Sequence, residues 1–205
     1  MSPKPTLYIV PGASQLSTTA WSFFASLAKE AGYPVIINQL PTVGSTNTPL
    51  PALPDDVALI QNDLHKLINE EEKEVVLIGH SSGDLVASCA TEGFDAGDRT
   101  CLHEQLAIEA LLNDLPTEEQ EYWGKQVTHT SMGLFGSPPT FEHWSNGVKC
   151  SYIFCERDLA VLMSEQRLMR ERLGPDAKEV YLNAGHCPYL SMPRELLKAV
   201  EELLA

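Results

Sequence analysis

Residues 75–83 read VVLIGHSSG, and this stretch indicates the fold more strongly than any other part of the chain. An apolar, β-branched run ends in Gly-His-Ser-Ser-Gly, and a helical pattern follows at Leu85–Ala90. A strand, G-x-S-x-G and a helix in this order are the setting of a nucleophile elbow, although the five residues alone could also form a plain turn. The pattern predicts a nucleophilic Ser81 in a strained turn, with the N–H of Ser82 beside it as one oxyanion donor.

Length and charge restrict the class of protein. The chain has 205 residues, 43% of them hydrophobic, which predicts one domain over residues 1–205. Its formal net charge is −14, from 14 basic and 28 acidic residues. This excess argues against nucleic acid or an anionic membrane surface as the partner. We expect a small-molecule substrate instead.

The predicted location is cytoplasmic. No apolar run approaches the roughly 18 residues that a membrane span requires. The N-terminus, MSPKP, leads directly into an apolar strand and lacks the apolar core of a signal peptide. The five cysteines are irregularly spaced and do not suggest a disulfide framework, so we expect reduced thiols.

Short apolar runs alternate with amphipathic helical patterns along the chain. Five runs are predicted to be buried strands: Thr6–Val10, Val35–Ile37, Val75–Ile78, Cys150–Cys155 and Glu179–Leu182. Strands that alternate with helices predict an α/β fold, with a doubly wound parallel sheet and helices on both faces. The expected strand order is 2-1-3-4-5, a common doubly wound arrangement.

Residues 87–147 interrupt this alternation, because they contain no apolar β-branched run able to form a buried strand. Helical patterns occur near Leu102–Leu112 and Glu118–Gln126, followed by several glycines and prolines. We therefore expect a small helical cap, inserted at about residues 92–147, over the carboxyl ends of the strands. Its apolar side chains could line a substrate pocket or form the core of the cap: Trp123, Met132, Phe135, Phe141 and Trp144.

A nucleophilic serine needs a general base and a carboxylate that orients the base. His186 follows the fifth predicted strand, in a loop at the edge of the sheet where Ser81 also emerges. The acid is expected after the fourth strand, where Glu156 and Asp158 are both available. We favour Asp158, because it lies further past the strand end, where a loop can direct it toward His186. The order Ser81, Asp158, His186 along the chain agrees with this assignment.

The second oxyanion donor is expected in the loop after the first strand. That loop reads Pro-Gly-Ala-Ser over residues 11–14, and Gly12 permits the turn. The N–H of Ala13 is the candidate donor. A plain Pro-Gly turn is the alternative interpretation.

These features together resemble the α/β-hydrolase superfamily over residues 6–90 and 148–204. The stretch VPGASQLSTTAWSFFASLAKEAGYPVIINQLPTVGST (residues 10–46) is similar to the start of small serine hydrolases of the methylesterase and hydroxynitrile lyase type and of fungal hydrolase-like proteins. AGHCPYLSMPREL (residues 184–196) resembles the segment with the catalytic histidine, and residues 113–123 resemble a fungal cap. The resemblance implies Ser81 as nucleophile, Asp158 as acid and His186 as base, with Ala13 and Ser82 as oxyanion donors, a buried Trp21, and no metal or organic cofactor.

The chain departs from this family at two places. Asp84 stands where the elbow usually continues with a glycine. The strand that normally follows the elbow helix is missing from residues 87–112, which leaves about five core strands in a shortened sheet. Loop adjustment would then have to bring His186 to Ser81, or a second copy of the chain could supply a strand in a homodimer.

The resulting expectation is a serine hydrolase that cleaves a small, fairly apolar ester, thioester or lactone through an acyl-enzyme. A second possibility keeps the fold but uses His186 as a general base in a lyase, cyclase or dehydratase. A third is a degenerate hydrolase that acts as a binding module. The missing strand and Asp84 favour the third, whereas the intact set of Ser81, Asp158 and His186 favours an enzyme.

Overall fold

The structure, a computed structural model, describes residues 3–82, 99–100, 104–135 and 148–205. The helix predicted at Leu85–Ala90, together with Asp84, Phe141 and Trp144, lies outside these residues. The chain divides into two compact units. The first comprises residues 1–102 with 128–141, and the second comprises residues 103–127 with 142–205.

The first unit is built on a three-stranded parallel sheet. Its strands are β1 (Thr6–Val10), β2 (Val35–Ile37) and β3 (Val75–Gly79), in the order β2-β1-β3. Every residue of the central strand β1 is buried, which explains its unbroken apolar sequence. Val10 lies opposite Gly79 in the register, so β1 and β3 end at the same edge of the sheet.

The described helices of this unit before Ser82 are α1 (Ser17–Ala20), α2 (Ser22–Glu30) and α3 (Leu53–His65), and α3 continues as a π-helical turn over Lys66–Glu70. Tyr8 and Val10 of β1 belong to one buried apolar cluster with Ile60 of α3 and Leu67. Since side chains alternate along a strand, Leu7 and Ile9 lie on the opposite face of β1, where they are also fully buried. Both faces of the central strand are therefore covered.

The two aspartates at the start of α3 have different partners. Asp55 Oδ2 accepts a hydrogen bond from Ala52 N–H at 2.8 Å, as expected of an acid in the first turn of a helix. Asp56 is fully buried and accepts hydrogen bonds from Thr42 N–H (3.0 Å) and the Thr42 hydroxyl (2.7 Å). Asp56 thus fixes the loop before α3 rather than the helix end.

The region predicted as a helical cap also contains a short antiparallel pair of strands. Strands β4 (Arg99–Thr100) and β5 (Thr130–Ser131) pair with each other, and a 3₁₀ turn over Met132–Leu134 follows β5. Two-residue strands pair through their backbones and need no apolar run, so periodicity does not reveal them. In the described part of residues 87–112, the two-residue β4 is the only strand.

The described part of the second unit contains the other two predicted strands and five helices. In chain order its elements are α4 (Glu104–Leu111), α5 (Thr117–Gly124), β6 (Ser151–Cys155), α6 (Met163–Arg172), β7 (Lys178–Leu182), α7 (Pro188–Ser191) and α8 (Pro193–Leu204). Strands β6 and β7 are parallel neighbours, with Cys155 opposite Leu182. The carboxyl ends of both strands therefore lie side by side.

The α/β class with parallel strands and amphipathic helices is confirmed. The neighbours predicted within the sheet, 2-1-3 and 4-5, are the pairs observed in the two units. The single domain over residues 1–205 and the bounds of the cap, 92–147, stay predictions. Among the described helices, none has the length and apolar character needed to cross a membrane.

Candidate active site

The turn after β3 has the strained geometry that the sequence predicts. Ser81 has a φ of 55°, in the left-handed region that residues with a side chain rarely adopt. Ser82 follows as the first helical residue and is buried. Local strain of this kind is typical of functional turns, because it directs one side chain outward from a fixed backbone.

Gly12 allows the loop after β1 to approach this turn. A Cβ atom added at Gly12 would lie 2.9 Å from Ser81 Cβ and 3.1 Å from the backbone oxygen of His80. The N–H of His80 donates to the carbonyl of Val10 at 3.1 Å, which ties the two segments together. Only glycine fits at position 12 without displacing the turn that carries Ser81.

The two N–H groups predicted as oxyanion donors lie in this first unit. Neither Ala13 N–H nor Ser82 N–H donates to an acceptor within the described residues. The adjacent Ser14, by contrast, has a φ of 68° and donates its N–H to Thr130 Oγ1 at 2.9 Å. The loop therefore uses the N–H of Ser14 for structure, whereas the N–H of Ala13 has no acceptor among the described residues.

Thr130 is a structural support of this loop that the sequence analysis did not identify. It is fully buried in β5, and Thr128 N–H donates to the carbonyl of Ser14 at 2.8 Å. The two segments are 116 residues apart along the chain, and no local pattern connects them. The short strand β5 thus holds the loop that carries Ala13.

His186 and Asp158 meet in the second unit. Asp158 lies in the turn after β6 and His186 in the loop after β7, and His186 Nδ1 is 2.8 Å from Asp158 Oδ2. The two residues are only 6% and 8% exposed. Glu156, the alternative acid, is exposed, and its backbone N–H bonds to the carbonyl of Leu182. The side chain that reaches His186 is therefore that of Asp158.

The surroundings of Asp158 favour its ionised form. Burial raises the pKa of this carboxyl, but the hydrogen bond and charge of His186, with N–H groups from Val161 and Ala160, hold the pKa below its ordinary value. These two backbone donors lie 2.9 and 2.8 Å from Oδ1. An ionised Asp158 accepts a hydrogen bond from Nδ1–H of His186, which leaves Nε2 as the nitrogen with the free lone pair.

The predicted site residues thus form two groups, each within one unit. Ser81, Ser82 and Ala13 lie together in the first unit, and Asp158 and His186 lie together in the second. Within the described residues, no group of three or more His, Cys, Asp and Glu side chains could hold a metal ion.

Comparisons with known proteins identify relatives along the full chain. Probable hydrolase R7 from Phoma sp. (strain ATCC 20986 / MF5453) is 27% identical, over 98% of this chain and 98% of the relative. That alignment spans 243 positions whereas this chain has 205 residues, so at least 38 aligned positions of the relative have no counterpart here. The difference in length agrees with a shortened core.

Solved structures with this fold include esterases and hydrolases. Polyneuridine aldehyde esterase superposes with a TM-score of 0.78 at 18% identity, over 98% of this chain and 100% of that one. A pyrethroid hydrolase from Sphingobium faniae JZ-2 gives a TM-score of 0.75 at 19% identity, over 96% of each chain. The sequence profile described as "Alpha/beta hydrolase family" matches residues 7–111, just over half of the chain. The chain therefore belongs to the alpha/beta hydrolase family.

Proposed function

We propose that this chain is a serine hydrolase that cleaves a small, fairly apolar carboxylic ester, thioester or lactone through an acyl-enzyme. The observation that carries the proposal is the buried hydrogen bond between His186 and Asp158, which gives a general base of fixed orientation. The strained turn at Ser81 supplies the nucleophile. Family membership supports the reaction class, and the site residues provide the groups that the reaction requires.

In the first half of the reaction, Ser81 Oγ attacks the substrate carbonyl carbon while His186 Nε2 takes the hydroxyl proton. The carbonyl electron pair moves onto its oxygen, and the N–H groups of Ala13 and Ser82 donate to this oxyanion. The bond to the leaving oxygen or sulfur then breaks, and His186 returns the proton to it. Asp158 stays ionised throughout and stabilises the imidazolium that forms.

In the second half, water replaces the leaving group. His186 takes a proton from the water as its oxygen attacks the acyl carbon, and the same two N–H groups hold the new oxyanion. Collapse of this intermediate breaks the bond to Ser81 Oγ and returns the proton to it. The products are a carboxylic acid and the free enzyme, so no other reactant is needed.

The substrate class rests on the relatives and on the cavities of the chain. Two of the structural relatives are named as polyneuridine aldehyde esterase and a pyrethroid hydrolase. A cavity of about 370 Å³ lies in the first unit, a size that suits a small ligand. Its lining combines apolar and small polar residues: Asn47, Thr48, Pro49, Leu50, Ser131, Met132 and Gly133. The relatives support the choice of an ester as substrate, and the cavity offers space for a small ligand in the first unit.

A fluorophosphonate probe tests the nucleophile directly, because it reacts covalently with activated serines. We expect the wild-type chain to be labelled and Ser81→Ala to remain unlabelled. Ser26→Ala, an exposed serine of α2, is the matched control and should label as the wild type does. A folded wild-type chain that is not labelled would contradict the proposal.

The His186→Ala variant tests whether the base acts on Ser81. We expect its labelling rate to fall by a factor on the order of 10³, since the serine then lacks a general base. Unchanged labelling would mean that His186 and Ser81 act independently. Turnover of an ester that persists in Ser81→Ala would favour chemistry without an acyl-enzyme, and the absence of both labelling and turnover would favour a binding module.

A further inference from the structure

We propose that Asn113 and Asp114, called here the Asn113–Asp114 clip, position the loops that carry Asp158 and His186. The clip lies in the turn between α4 and α5 and contacts both loops. This inference rests on the proposed function, because it assigns positioning residues to the same catalytic pair. Neither residue is proposed to touch the substrate.

The backbone ladder between the two strands ends just before the catalytic pair. Glu156 N–H donates to the carbonyl of Leu182, and Arg157 N–H donates to that of Ala184, both at 2.9 Å. Asp158 lies one residue beyond this last bond and His186 two residues beyond it. Within the described residues, no backbone hydrogen bond joins the two loops past Arg157 and Ala184. Beyond this point the loops are joined through side chains: Arg157 Nε donates to the carbonyl of Asn183 at 3.0 Å, and the clip adds further bonds.

The clip bonds to each loop at the residue that precedes the catalytic one. Asn113 Nδ2 donates to the carbonyl of Arg157 at 2.9 Å. Asp114 Oδ2 accepts the N–H of Gly185 at 2.6 Å, and the guanidinium of Arg157 lies 3.8 Å from the same oxygen. Adjacent residues of one turn thus join the loop before Asp158 to the loop before His186.

The contact between the clip and Gly185 is close. A Cβ atom added at Gly185 would lie 2.6 Å from both Asn113 Oδ1 and Asp114 Oδ1. The Asp114 side chain is fully buried, although its Oδ1 has no hydrogen-bond partner within the described residues. A buried carboxylate is unfavourable unless polar partners compensate for the lost water, and the described partners of Asp114 are the Gly185 N–H and the Arg157 guanidinium.

Removal of the Asp114 acceptor should displace the loop that carries His186. A misplacement of about 1 Å in a catalytic group can reduce the rate by about 100-fold. We therefore expect Asp114→Ala to lower kcat for p-nitrophenyl butyrate by about 100-fold, with KM changed by less than about threefold. Asp114→Asn keeps an oxygen that can accept from Gly185 N–H, and should restore kcat to within about fivefold of the wild-type value.

A spectroscopic measurement distinguishes positioning from general destabilisation. The proton between His186 Nδ1 and Asp158 should give a far-downfield resonance in the ¹H NMR spectrum of the wild-type chain. We expect this resonance to be lost in Asp114→Ala and retained in Asp114→Asn. Asp176→Asn removes an exposed carboxylate elsewhere in the second unit, and should leave both kcat and the resonance unchanged.

Two results would overturn the inference. One is a folded Asp114→Ala variant with wild-type kcat and an unchanged resonance. The other is an Asp114→Asn variant as inactive as Asp114→Ala, because the retained acceptor would then have no effect. If Asp114→Ala does not fold, the Asn113→Ala variant tests the inference instead, because it removes only the hydrogen bond to the Arg157 carbonyl. An Asn113→Ala variant with wild-type kcat and an unchanged resonance would contradict the clip.

The resonance does not depend on catalysis by Ser81. Failure of the fluorophosphonate to label the wild-type chain would contradict the proposed function. In that case the resonance and its response to the Asp114 variants would still report whether the clip holds the pair.

Discussion

The imidazole Nδ1 of His186 lies 2.8 Å from Oδ2 of Asp158, and both side chains are buried. The other carboxylate oxygen accepts hydrogen bonds from the N–H groups of Ala160 and Val161. Because both oxygens of Asp158 are engaged, the carboxylate has one defined orientation and His186 has one defined tautomer. The pair is thus preorganised before any substrate binds, which reduces the reorganisation that the reaction requires.

Asp158→Asn should reduce kcat/KM for p-nitrophenyl butyrate by a factor on the order of 10³, because an amide can turn its NH₂ toward His186 and stabilise the wrong tautomer. Glu156→Gln is the matched control, since Glu156 is an exposed carboxylate of the same loop. We expect that control to stay within about twofold of the wild type. Steady-state kinetics measures kcat/KM for both variants. Equal losses of kcat/KM in Asp158→Asn and Glu156→Gln would contradict the assignment of Asp158.

Gly12→Ala should impair the nucleophile. The new Cβ would lie 2.9 Å from Ser81 Cβ, so the elbow or the oxyanion loop must move, and labelling by the fluorophosphonate should slow by about 100-fold. Gly32→Ala is a useful control: its φ is 89°, but a Cβ there meets no atom within 4 Å. It should cost about 1 kcal/mol of unfolding free energy through backbone strain while labelling stays normal. Normal labelling in folded Gly12→Ala would argue against the close approach.

Asp56 should make the unfolding free energy depend on pH. Burial, opposed by the two hydrogen bonds from Thr42, raises its pKa from 3.8 to about 6. The folded state then binds the proton more tightly than the unfolded state, so this contribution to stability is complete below about pH 4 and is lost as the pH rises through about 6. The loss amounts to at most about 3 kcal/mol.

Denaturant unfolding of wild type and Asp56→Asn between pH 4 and 7.5 measures this effect. An asparagine retains hydrogen bonds to Thr42 without the titration, so the stability of wild type relative to Asp56→Asn should fall as the pH rises through this range. The lowered pKa of Asp158 makes the unfolding free energy depend on pH in the opposite direction. This effect is the same in wild type and Asp56→Asn, so it cancels when the two are subtracted. If the difference in unfolding free energy between wild type and Asp56→Asn does not vary with pH, the raised pKa of Asp56 is contradicted. The Asp176→Asn variant controls for the loss of one negative charge.

Cys155 and Cys187, which flank the catalytic pair, should be unreactive thiols. Burial is the largest cause that raises the pKa of each thiol to about 12, and the charges of Asp158 and Asp114 contribute to that rise. At pH 8 the fraction of thiolate is then lower, by a factor on the order of 10³, than for a cysteine with the ordinary thiol pKa. Peptide mass spectrometry can measure the rate at which iodoacetamide alkylates each cysteine. We expect this rate to be lower by a similar factor in the folded chain than in the chain unfolded by urea. Comparable rates in both states would show that these thiols are accessible.

Much of the fold could be predicted because its signals are local. The strands β1, β3 and β6 are mostly apolar runs, of which β1 is buried along its whole length, and α8 begins at a proline with its apolar residues at helical spacing. The two-residue strands β4 and β5 were not predictable in this way. Their residues are polar, and their pairing depends on backbone segments that meet only in the folded chain.

The candidate site shows the same division. The sequence by itself determined the elbow, since Gly79, Ser81 and the flanking strand set a strained turn within a few residues. It also placed His186 and Asp158 after neighbouring strands, and left Glu156 as an alternative. The tertiary structure shows that Asp158, and not Glu156, is hydrogen-bonded to His186, because the direction of a side chain past a strand end depends on the turn that carries it. Thr130 and Asp114 came from the structure alone, since each supports a loop about 70 or more residues away in the chain, where only folding brings donor and acceptor together.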